Sequence, residues 1–268
     1  PEFSDIQNMC EILKVLNIKV NRSGKYLKLN TESIKNEKIT HDLTNKLRAS
    51  IFLLGPLLSK FKEASISYPG GCNIGTRPID IHLSAFRSLG VKIVEKHGYI
   101  YCNAHNMKAG KVVFSSVSVG ATESVMMSAI FLKGKTTLYN VAREPEIREL
   151  ARFLNEMGAV VRGAGGDIIE IEGVKKLHGG TFSVFPDRIV AGTHLILGAL
   201  CGRKMEIKGV RKEDNQLLLN ILRESACEIE EKNDRMVISA SEHIPSYRFL
   251  GTLPYPNFPT HLQPQFMF

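Results

Sequence analysis

The chain has 268 residues, 43% of them hydrophobic and 23% charged, which is typical of a soluble globular protein with a substantial core. Lys and Arg outnumber Asp and Glu by 35 to 27, and the resulting charge of +8 favours an anionic partner, either nucleic acid or a phosphorylated small molecule. Nucleic acid is disfavoured because the basic residues are scattered singly, aromatic residues make up only 7%, and no paired Cys and His spacing is present.

The cysteines are odd in number, far apart and without a CxxC pair; they are Cys10, Cys72, Cys102, Cys201 and Cys227. This usage indicates reduced thiols, with no disulfide framework and no zinc site. No apolar run reaches the roughly 18 residues of a membrane span, and no signal peptide is visible. We therefore expect a cytoplasmic protein without a membrane partner. The chain starts without a methionine, which suggests a piece of a longer protein.

Four segments repeat one pattern, in which a helix end is followed by a turn residue and two short strands joined by a second turn. The segments are residues 12–30, 85–103, 153–173 and 221–240. Their turn residues are Asn17, Gly90, Gly158 and Ala226, which lie 73, 68 and 68 residues apart.

Apolar helices are predicted between these segments, at residues 43–60, 121–132 and 191–201, and each leads into a strand. The repeating unit is therefore strand–helix–strand–helix–hairpin, about 70 residues long. The chain is predicted to hold three complete units, with partial units at both ends. Because each unit buries its helices against its own sheet, a closed arrangement is favoured over an open stack.

The first candidate for chemistry is the segment "YPGGCNIGTRPIDIH", residues 68–82. Gly70, Gly71 and Gly75 permit a mobile loop, and Arg77 lies near enough to lower the pKa of the Cys72 thiol or to hold a phosphate. Cys72 is thus a candidate general acid or nucleophile. The alternative is a small apolar residue that fills a turn. The other four cysteines lie within predicted helices or strands and are predicted to be packing residues.

The second candidate is "VSVGAT", residues 117–122, just before a predicted helix. Ser118, Gly120 and Thr122 place hydroxyl and backbone N–H groups at a helix N-terminus, which suits a phosphate. An ordinary helix cap explains the same residues. The segment "PDRIVAGT", residues 186–193, occupies the equivalent place one unit later and favours a shared structural role.

Three weaker candidates remain open. The segment "AREPEI", residues 142–147, puts glutamates in a first helical turn, where they are ordinary partners of the helix dipole. Arg48 lies within an otherwise apolar helix and either reaches the surface or meets an anion. Asp80 and His82 form either a functional pair or a surface cap.

These motifs together resemble the enolpyruvyl transferases, in particular those that use UDP-N-acetylglucosamine. The resemblance covers essentially the whole chain and is carried by "LRASIFLLGPLL", "PGGCNIGTRPIDIH", "VSVGAT", "AREPEI", "PDRIVAGT" and "PYPNFPTHLQPQF", in the family's order. It implies an α/β fold, an inside-out α/β barrel of strand–helix–strand–helix–hairpin repeats in two similar domains. Here both domains are expected to be incomplete, the first at residues 1–185 and the second at 186–268.

The resemblance also implies roles for individual residues. Cys72 corresponds to the family's proton donor, the target of epoxide antibiotics. Arg48 and Arg77 correspond to anion contacts. The implied substrate-binding residues are Arg48, Arg77, Pro78, Ile79, Asp80, Ile81, Ser116, Val117, Ser118 and Val119, with Ser118 and Val119 in a diphosphate cradle. The implied substrates are UDP-N-acetylglucosamine and phosphoenolpyruvate, and no metal or organic cofactor is needed.

Three residues depart from the family's pattern. Ser116 stands where the family has a lysine, Val190 where it has an acidic residue, and His261 where it has the aspartate that takes a proton from the sugar hydroxyl. A histidine, with an ordinary pKa of about 6.5, is able to act as a base but lacks the charge of a carboxylate. Two hypotheses follow: an enolpyruvyl transferase with Cys72 and His261 as catalytic residues, or a non-catalytic relative that binds a nucleotide sugar or has a regulatory role.

Overall fold

A computed structural model describes residues 3–70, 79–201, 204–232, 235–240 and 250–268. The chain divides into two compact units. The first runs to Ala142 and resumes at Leu150–Gly180; the second comprises Arg143–Glu149 and Thr181–Phe268. The boundary predicted after residue 185 remains a prediction.

The first unit alternates helices and strands in the order predicted from the repeat. Its helices are α1 (Ser4–Val15), α2 (His41–Thr44), α3 (Leu54–Phe61), α4 (Asp80–Ser88), α5 (Val119–Ala129) and the second half of α6 (Pro145–Glu156). Its strands are β1 (Lys19–Ser23), β2 (Tyr26–Asn30), β3 (Glu63–Ser67), β4 (Lys92–Lys96), β5 (Tyr99–Asn103), β6 (Lys111–Val113), β7 (Lys135–Tyr139), β8 (Val160–Arg162) and β9 (Ile168–Glu172).

The first unit has three sheets, and each contains the hairpin of the repeat with a different number of additional strands. The hairpin β1–β2 stands alone, the second sheet has the order β3–β5–β4, and the third has the order β6–β7–β9–β8. In the third sheet β6 runs parallel to β7, and the other pairs are antiparallel. The repeat that contains this third sheet therefore has the predicted opening strand, which is β6.

In the neighbouring repeats the opening strand is reduced. Before β3 it consists of one parallel bridge between Ile39 and Ile66. Residues 181–187, at the equivalent place one repeat later, form no strand. The expectation of a full opening strand in every repeat is wrong on this point.

Helix α5 and the buried faces of α3 and α4 form the interior of the first unit, as expected for an inside-out arrangement, whereas α1 lies at its surface with only Ile12 buried. Most of α5 is buried, including Val125 and Met126, and α5 packs against α3 and α4. Gly55 of α3 makes this packing possible, because a Cβ there would overlap the backbone carbonyl of Ser124. The strands, by contrast, keep one exposed face, as in the pattern of β9.

The single helix predicted at residues 43–60 is wrong. The chain forms α2, then a 3-10 helix at Arg48–Leu53, and only then α3. Leu47 is extended, with φ −147° and ψ 107°, and interrupts the helical path. Pro56 explains where α3 begins, because proline fits the first turn of a helix but in the interior clashes with the carbonyl four residues earlier.

The second unit is a three-stranded sheet with helices on one face. Its elements are the first half of α6, α7 (Arg188–Leu200), β10 (Met205–Lys208), α8 (Gln216–Glu224), β11 (Cys227–Lys232), β12 (Arg235–Ala240) and α9 (Gln263–Phe266). The strand order is β10–β12–β11, all antiparallel. The core includes Leu195 of α7, Leu219 of α8, Ile238 of β12 and Phe258.

Candidate functional site

The N-terminus of α5 is capped by its own sequence. Ser118 is the N-cap residue, and its Oγ accepts a hydrogen bond from the N–H of Ala121 at 3.3 Å. Thr122 Oγ1 donates to the carbonyl of Ser118 at 2.8 Å and accepts the N–H of Ala142 at 3.2 Å. The cap interpretation of this motif is therefore correct. The first turn still has backbone N–H groups without intrahelical acceptors, which favour an anion.

The other residues predicted from this motif lie at the same helix end. Val119 is the first residue of α5 and is half-buried. Ser116 is exposed and Val117 half-buried in the segment that leads into the helix. This stretch is therefore open to a bound group on the side from which α5 begins.

His82 lies against this helix end and is only 6% exposed. A Cβ at Gly120 would be 2.9 Å from His82 Nε2 and 2.8 Å from Phe52 Cε1, so glycine is needed for so close an approach. Neither ring nitrogen of His82 has a hydrogen-bond partner among the described residues. Of the two roles left open for His82, the surface cap is therefore wrong.

The charge of His82 is controlled by its surroundings. Burial and, to a lesser degree, the Arg48 guanidinium lower the pKa of His82 to about 4, while Asp80 acts in the opposite direction. Arg48 is half-buried and is the first residue of a 3-10 helix that packs against α5. The structure therefore places a permanent cation and a neutral imidazole beside the α5 N-terminus.

Three of the predicted substrate-binding residues, Ile79, Asp80 and Ile81, lie at the start of α4. Ile79 is buried, Asp80 is exposed and Ile81 is half-buried. Ile79 and Asp80 line a cavity of about 290 Å³ together with Tyr68, Pro69, Leu83, Arg87 and Glu95. In this cavity Glu95 accepts hydrogen bonds from the Tyr68 hydroxyl and from Arg87 Nη2. Cys72, Arg77 and Pro78 lie outside the described residues.

The second unit repeats the capped helix start. Asp187 is the N-cap of α7, and its Oδ1 accepts the N–H groups of Ile189 at 2.8 Å and Val190 at 3.2 Å. Thr193 Oγ1 donates to the carbonyl of Ile189 at 2.9 Å, much as Thr122 does in α5. The shared structural role predicted for the two motifs is confirmed. Val190 itself is exposed.

The two glutamates of "AREPEI" accept hydrogen bonds from residues distant in sequence. Glu144 is buried, and its Oε1 accepts the backbone N–H of Tyr255 at 3.4 Å. Glu146 Oε1 accepts from Arg188 Nε at 3.1 Å, and the Arg188 guanidinium lies 5.8 Å from the centre of the Tyr255 ring. The interpretation of these glutamates as ordinary dipole partners is therefore incomplete.

Two further ion pairs join the first half of α6 to the segment before α8. Arg148 Nη2 lies 2.8 Å from Asp214 Oδ1, and Arg211 Nη1 lies 3.1 Å from Glu149 Oε1. Burial raises the pKa of Asp214, and the nearby Arg148 and Arg211 oppose this rise. The two residues of each ion pair lie more than 60 residues apart in sequence, so no local pattern indicated either pair.

His261 is exposed and lies in the 3-10 helix Thr260–Leu262. Its neighbours fix this helix in the core of the second unit, because Phe258 and Leu262 are each 1% exposed. Phe258 also packs edge-on against Phe266, with ring centres 5.3 Å apart. The imidazole is thus open to solvent on a firmly packed segment.

Within the described parts of the chain, no three His, Cys, Asp or Glu side chains are grouped so as to hold a metal ion. Among those same residues, no helix has the length and apolar character that crossing a membrane requires.

Comparison with known proteins agrees with the motifs. A protein from Caldanaerobacter subterraneus subsp. tengcongensis named UDP-N-acetylglucosamine 1-carboxyvinyltransferase 2 is 42% identical over 265 residues, 99% of this chain and 64% of that protein. A protein from Carboxydothermus hydrogenoformans named UDP-N-acetylglucosamine 1-carboxyvinyltransferase 1 is 41% identical over 267 residues, 100% of this chain and 63% of that protein. The chain thus spans somewhat less than two thirds of the length of these relatives.

Solved structures show the same fold at much lower sequence identity. The enolpyruvyl transferase NikO from Streptomyces tendae matches with a TM-score of 0.78 and 17% identity, over 90% of this chain and 59% of that one. EPSP synthase from Acinetobacter baumannii matches with a TM-score of 0.69 and 16% identity, over 91% of this chain and 60% of that one. The expected enolpyruvyl transferase fold is therefore confirmed.

The family model described as EPSP synthase (3-phosphoshikimate 1-carboxyvinyltransferase) matches residues 1–268. Because this match extends over the whole chain, the protein belongs to the EPSP synthase family of enolpyruvyl transferases.

Proposed function

We propose that this protein takes part in the transfer of the enolpyruvyl group from phosphoenolpyruvate to the 3′-hydroxyl of UDP-N-acetylglucosamine. The observation that carries the proposal is the α5 N-terminus, where Ser118, Arg48 and the first-turn N–H groups provide a site for phosphate oxygens. The names of relatives about 40% identical to this chain support this choice of nucleotide sugar.

The adjacent cavity suits the rest of the nucleotide. It is lined by Ile79 and Asp80, with Tyr68 and Leu83 as apolar surface. A ring placed there has apolar contacts on one side, while Asp80 is available to accept hydrogen bonds from it. Arg77 and Pro78 complete this part of the proposal on the strength of the sequence motif alone.

The proposed reaction is an addition followed by an elimination. A proton passes from the Cys72 thiol to the methylene carbon of phosphoenolpyruvate, while His261 accepts the proton of the sugar 3′-hydroxyl and the new C–O bond forms. In the elimination, a proton returns from the resulting methyl group to the Cys72 thiolate and the bond to phosphate breaks, which restores the double bond. The released phosphate leaves with the proton that His261 held. Arg48 and the helix N-terminus offset the negative charge of the phosphates.

The product would serve peptidoglycan precursor synthesis, and through it the cell wall, cell shape and cell division. We place the reaction in the cytoplasm, where its two anionic substrates occur. We also propose that residues 1–185 and 186–268 belong to two similar domains of the complete enzyme, consistent with the capped helices that begin at Val119 and Arg188.

A second function is favoured by two side chains. Ser116 is exposed and uncharged beside the α5 N-terminus, and an exposed imidazole at His261 takes the place of a carboxylate. Both replacements lower the expected catalytic power without removing the surfaces that would hold the nucleotide. The alternative is therefore a non-catalytic protein that binds the nucleotide sugar.

One experiment separates these outcomes. Calorimetric titration with UDP-N-acetylglucosamine tests binding, and release of inorganic phosphate from phosphoenolpyruvate in its presence tests turnover. Binding with phosphate release supports the transferase, and binding without release supports the non-catalytic relative. No binding of the nucleotide sugar would contradict both.

A further inference from the structure

We propose that His82 is a ligand-binding residue, which donates a hydrogen bond from a neutral ring nitrogen to an anionic oxygen held at the α5 N-terminus. The inference rests on the proposed function, because the anion meant is the diphosphate of a nucleotide sugar. His82 would be a third and uncharged group of this anion site, beside the helix N-terminus and Arg48.

The position of His82 is the first argument. Nε2 lies 2.9 Å from where a Cβ of Gly120 would be, so the edge of the ring faces the backbone of the first turn of α5. Phe52 lies against the same glycine, with Cε1 2.8 Å from that Cβ position. Glycine at 120 therefore lets the imidazole lie directly against the first turn of α5.

The lack of a partner is the second argument. His82 is 94% buried, and neither Nδ1 nor Nε2 has a hydrogen-bond partner among the described residues. Buried polar groups are nearly always hydrogen-bonded, so a pair of unpaired nitrogens at a helix N-terminus points to a partner that belongs to a ligand. A phosphate oxygen is the acceptor that such a terminus attracts.

The ordinary capping positions are already filled, which is the third argument. Ser118 Oγ accepts the N–H of Ala121, and Thr122 Oγ1 joins the Ser118 carbonyl to the N–H of Ala142. His82 is thus not needed to satisfy the local backbone. A purely structural role would also be served by an apolar residue of the same size, without the cost of burying an imidazole.

The charge state agrees with a neutral donor. Burial and, to a lesser degree, the Arg48 guanidinium on the adjacent 3-10 helix lower the pKa of His82, and Asp80 on α4 only partly compensates, so the ring is uncharged near neutral pH. A neutral imidazole has one N–H donor and one acceptor nitrogen. His82 would therefore orient the anion, while Arg48 supplies the charge.

The test is a titration followed by ¹⁵N NMR of the histidine rings, with inorganic pyrophosphate and then with UDP-N-acetylglucosamine as probes. We expect the His82 nitrogens to shift with both probes and not with uridine, which has no phosphate. A His82 signal that stays unchanged with both phosphorylated probes would overturn the inference. A shift with pyrophosphate but no binding of the nucleotide sugar would instead refute the proposed function.

Two variants of similar shape give a second readout. His82→Gln keeps an N–H donor, whereas His82→Met has none. Because a hydrogen bond to a charged group contributes about 1.5–3 kcal/mol, we expect the Kd for UDP-N-acetylglucosamine to rise by about 10- to 150-fold in His82→Met and much less in His82→Gln. Equal Kd values for the two variants, at equal thermal stability, would also overturn the inference.

Discussion

Arg148 and Asp214 form an ion pair in which Nη2 lies 2.8 Å from Oδ1, and the Asp214 side chain is only 4% exposed. The Arg148 side chain remains 43% exposed, so only the carboxylate of the pair is buried. The pair links the first turns of α6 to the segment before α8. Burial by itself disfavours the ionised Asp214 carboxylate, and Arg148 offsets part of that cost.

Removal of Arg148 should therefore destabilise the protein. We expect Arg148→Met to lower the free energy of unfolding by about 1–3 kcal/mol. In this variant the buried Asp214 carboxylate loses its ion-pair partner, and the more weakly interacting Arg211 offsets only part of its charge. Urea denaturation measures this loss. The double variant Arg148→Met/Asp214→Leu should lose less than the single one.

The control for this prediction is the pair Arg162–Glu172, at 2.6 Å with side chains 63% and 50% exposed. Arg162→Met should cost less than about 1 kcal/mol, as is usual for surface pairs. Equal losses at the two sites would show that burial of Asp214 contributes nothing to the first pair.

A second prediction concerns the contact between α3 and α5. Gly55→Ala places a methyl group against the Ser124 carbonyl and should destabilise the protein by about 1–3 kcal/mol, as overpacking of a core typically does. Gly110→Ala is the matched control, because nothing lies within 4 Å of its Cβ position. Thermal unfolding of the two variants compares them. If Gly55→Ala melts no lower than Gly110→Ala, the close packing of these helices is wrong.

A third prediction follows from the pKa of His82, about 4 in the folded protein and about 6.5 in the unfolded chain. Between these values the unfolded chain binds more protons, so stability falls as the pH falls. From pH 8 to pH 5, His82 should account for a loss of about 2 kcal/mol. We expect this part of the loss to be absent in His82→Met when both proteins are unfolded in urea at pH 8, 6 and 5. Parallel pH profiles would contradict the neutral, buried histidine.

A fourth prediction concerns the cysteines, where one expectation is wrong. Cys102 and Cys227 are buried as expected, but Cys201 is exposed at the end of α7 and is not a packing residue. Burial raises the pKa of Cys102 to about 12, which keeps its thiol protonated. Brief treatment with a maleimide should therefore label Cys201 and leave Cys102 and Cys227 unmodified, as mass spectrometry of peptides will show.

The same experiment tests the prediction for Cys72 that the sequence made. An epoxide or maleimide should react with Cys72 faster than with Cys10, Cys102, Cys201 or Cys227. Uniform labelling of the remaining thiols would count against an activated loop cysteine.

A fifth prediction tests the role of His261. If the rest of the site is intact, His261→Asp restores the carboxylate of the family and should increase phosphate release from phosphoenolpyruvate by up to about 10²–10⁴-fold, the usual contribution of a general base. His261→Asn is the control, because it has neither a carboxylate nor a basic nitrogen. No gain from aspartate, with the nucleotide sugar still bound, would favour the non-catalytic protein.

The sequence by itself determined the repeat, because the repeat depends on local backbone conformation. All four turn residues predicted between helix and hairpin, Asn17, Gly90, Gly158 and Ala226, have positive φ, at 61°, 93°, 96° and 61°. A left-handed residue ends a helix and reverses the chain whatever lies around it. The caps at Ser118 and Asp187 are local in the same sense, and both were visible as motifs. Pro56 was an equally local signal, and the single long helix was predicted in spite of it.

Only the tertiary structure decided which side chains meet. Asp80 and His82 are neighbours on one helix, yet Asp80 is exposed and His82 is buried, because His82 packs against Gly120 of α5. Arg148 and Asp214 are 66 residues apart, and nothing in either local sequence selects the other. Burial and charge pairing depend on the packing of whole elements, whereas turns and caps depend on a few consecutive residues. For that reason the sequence predicted the order of the elements, and only the structure showed that His82 lies buried against the first turn of α5.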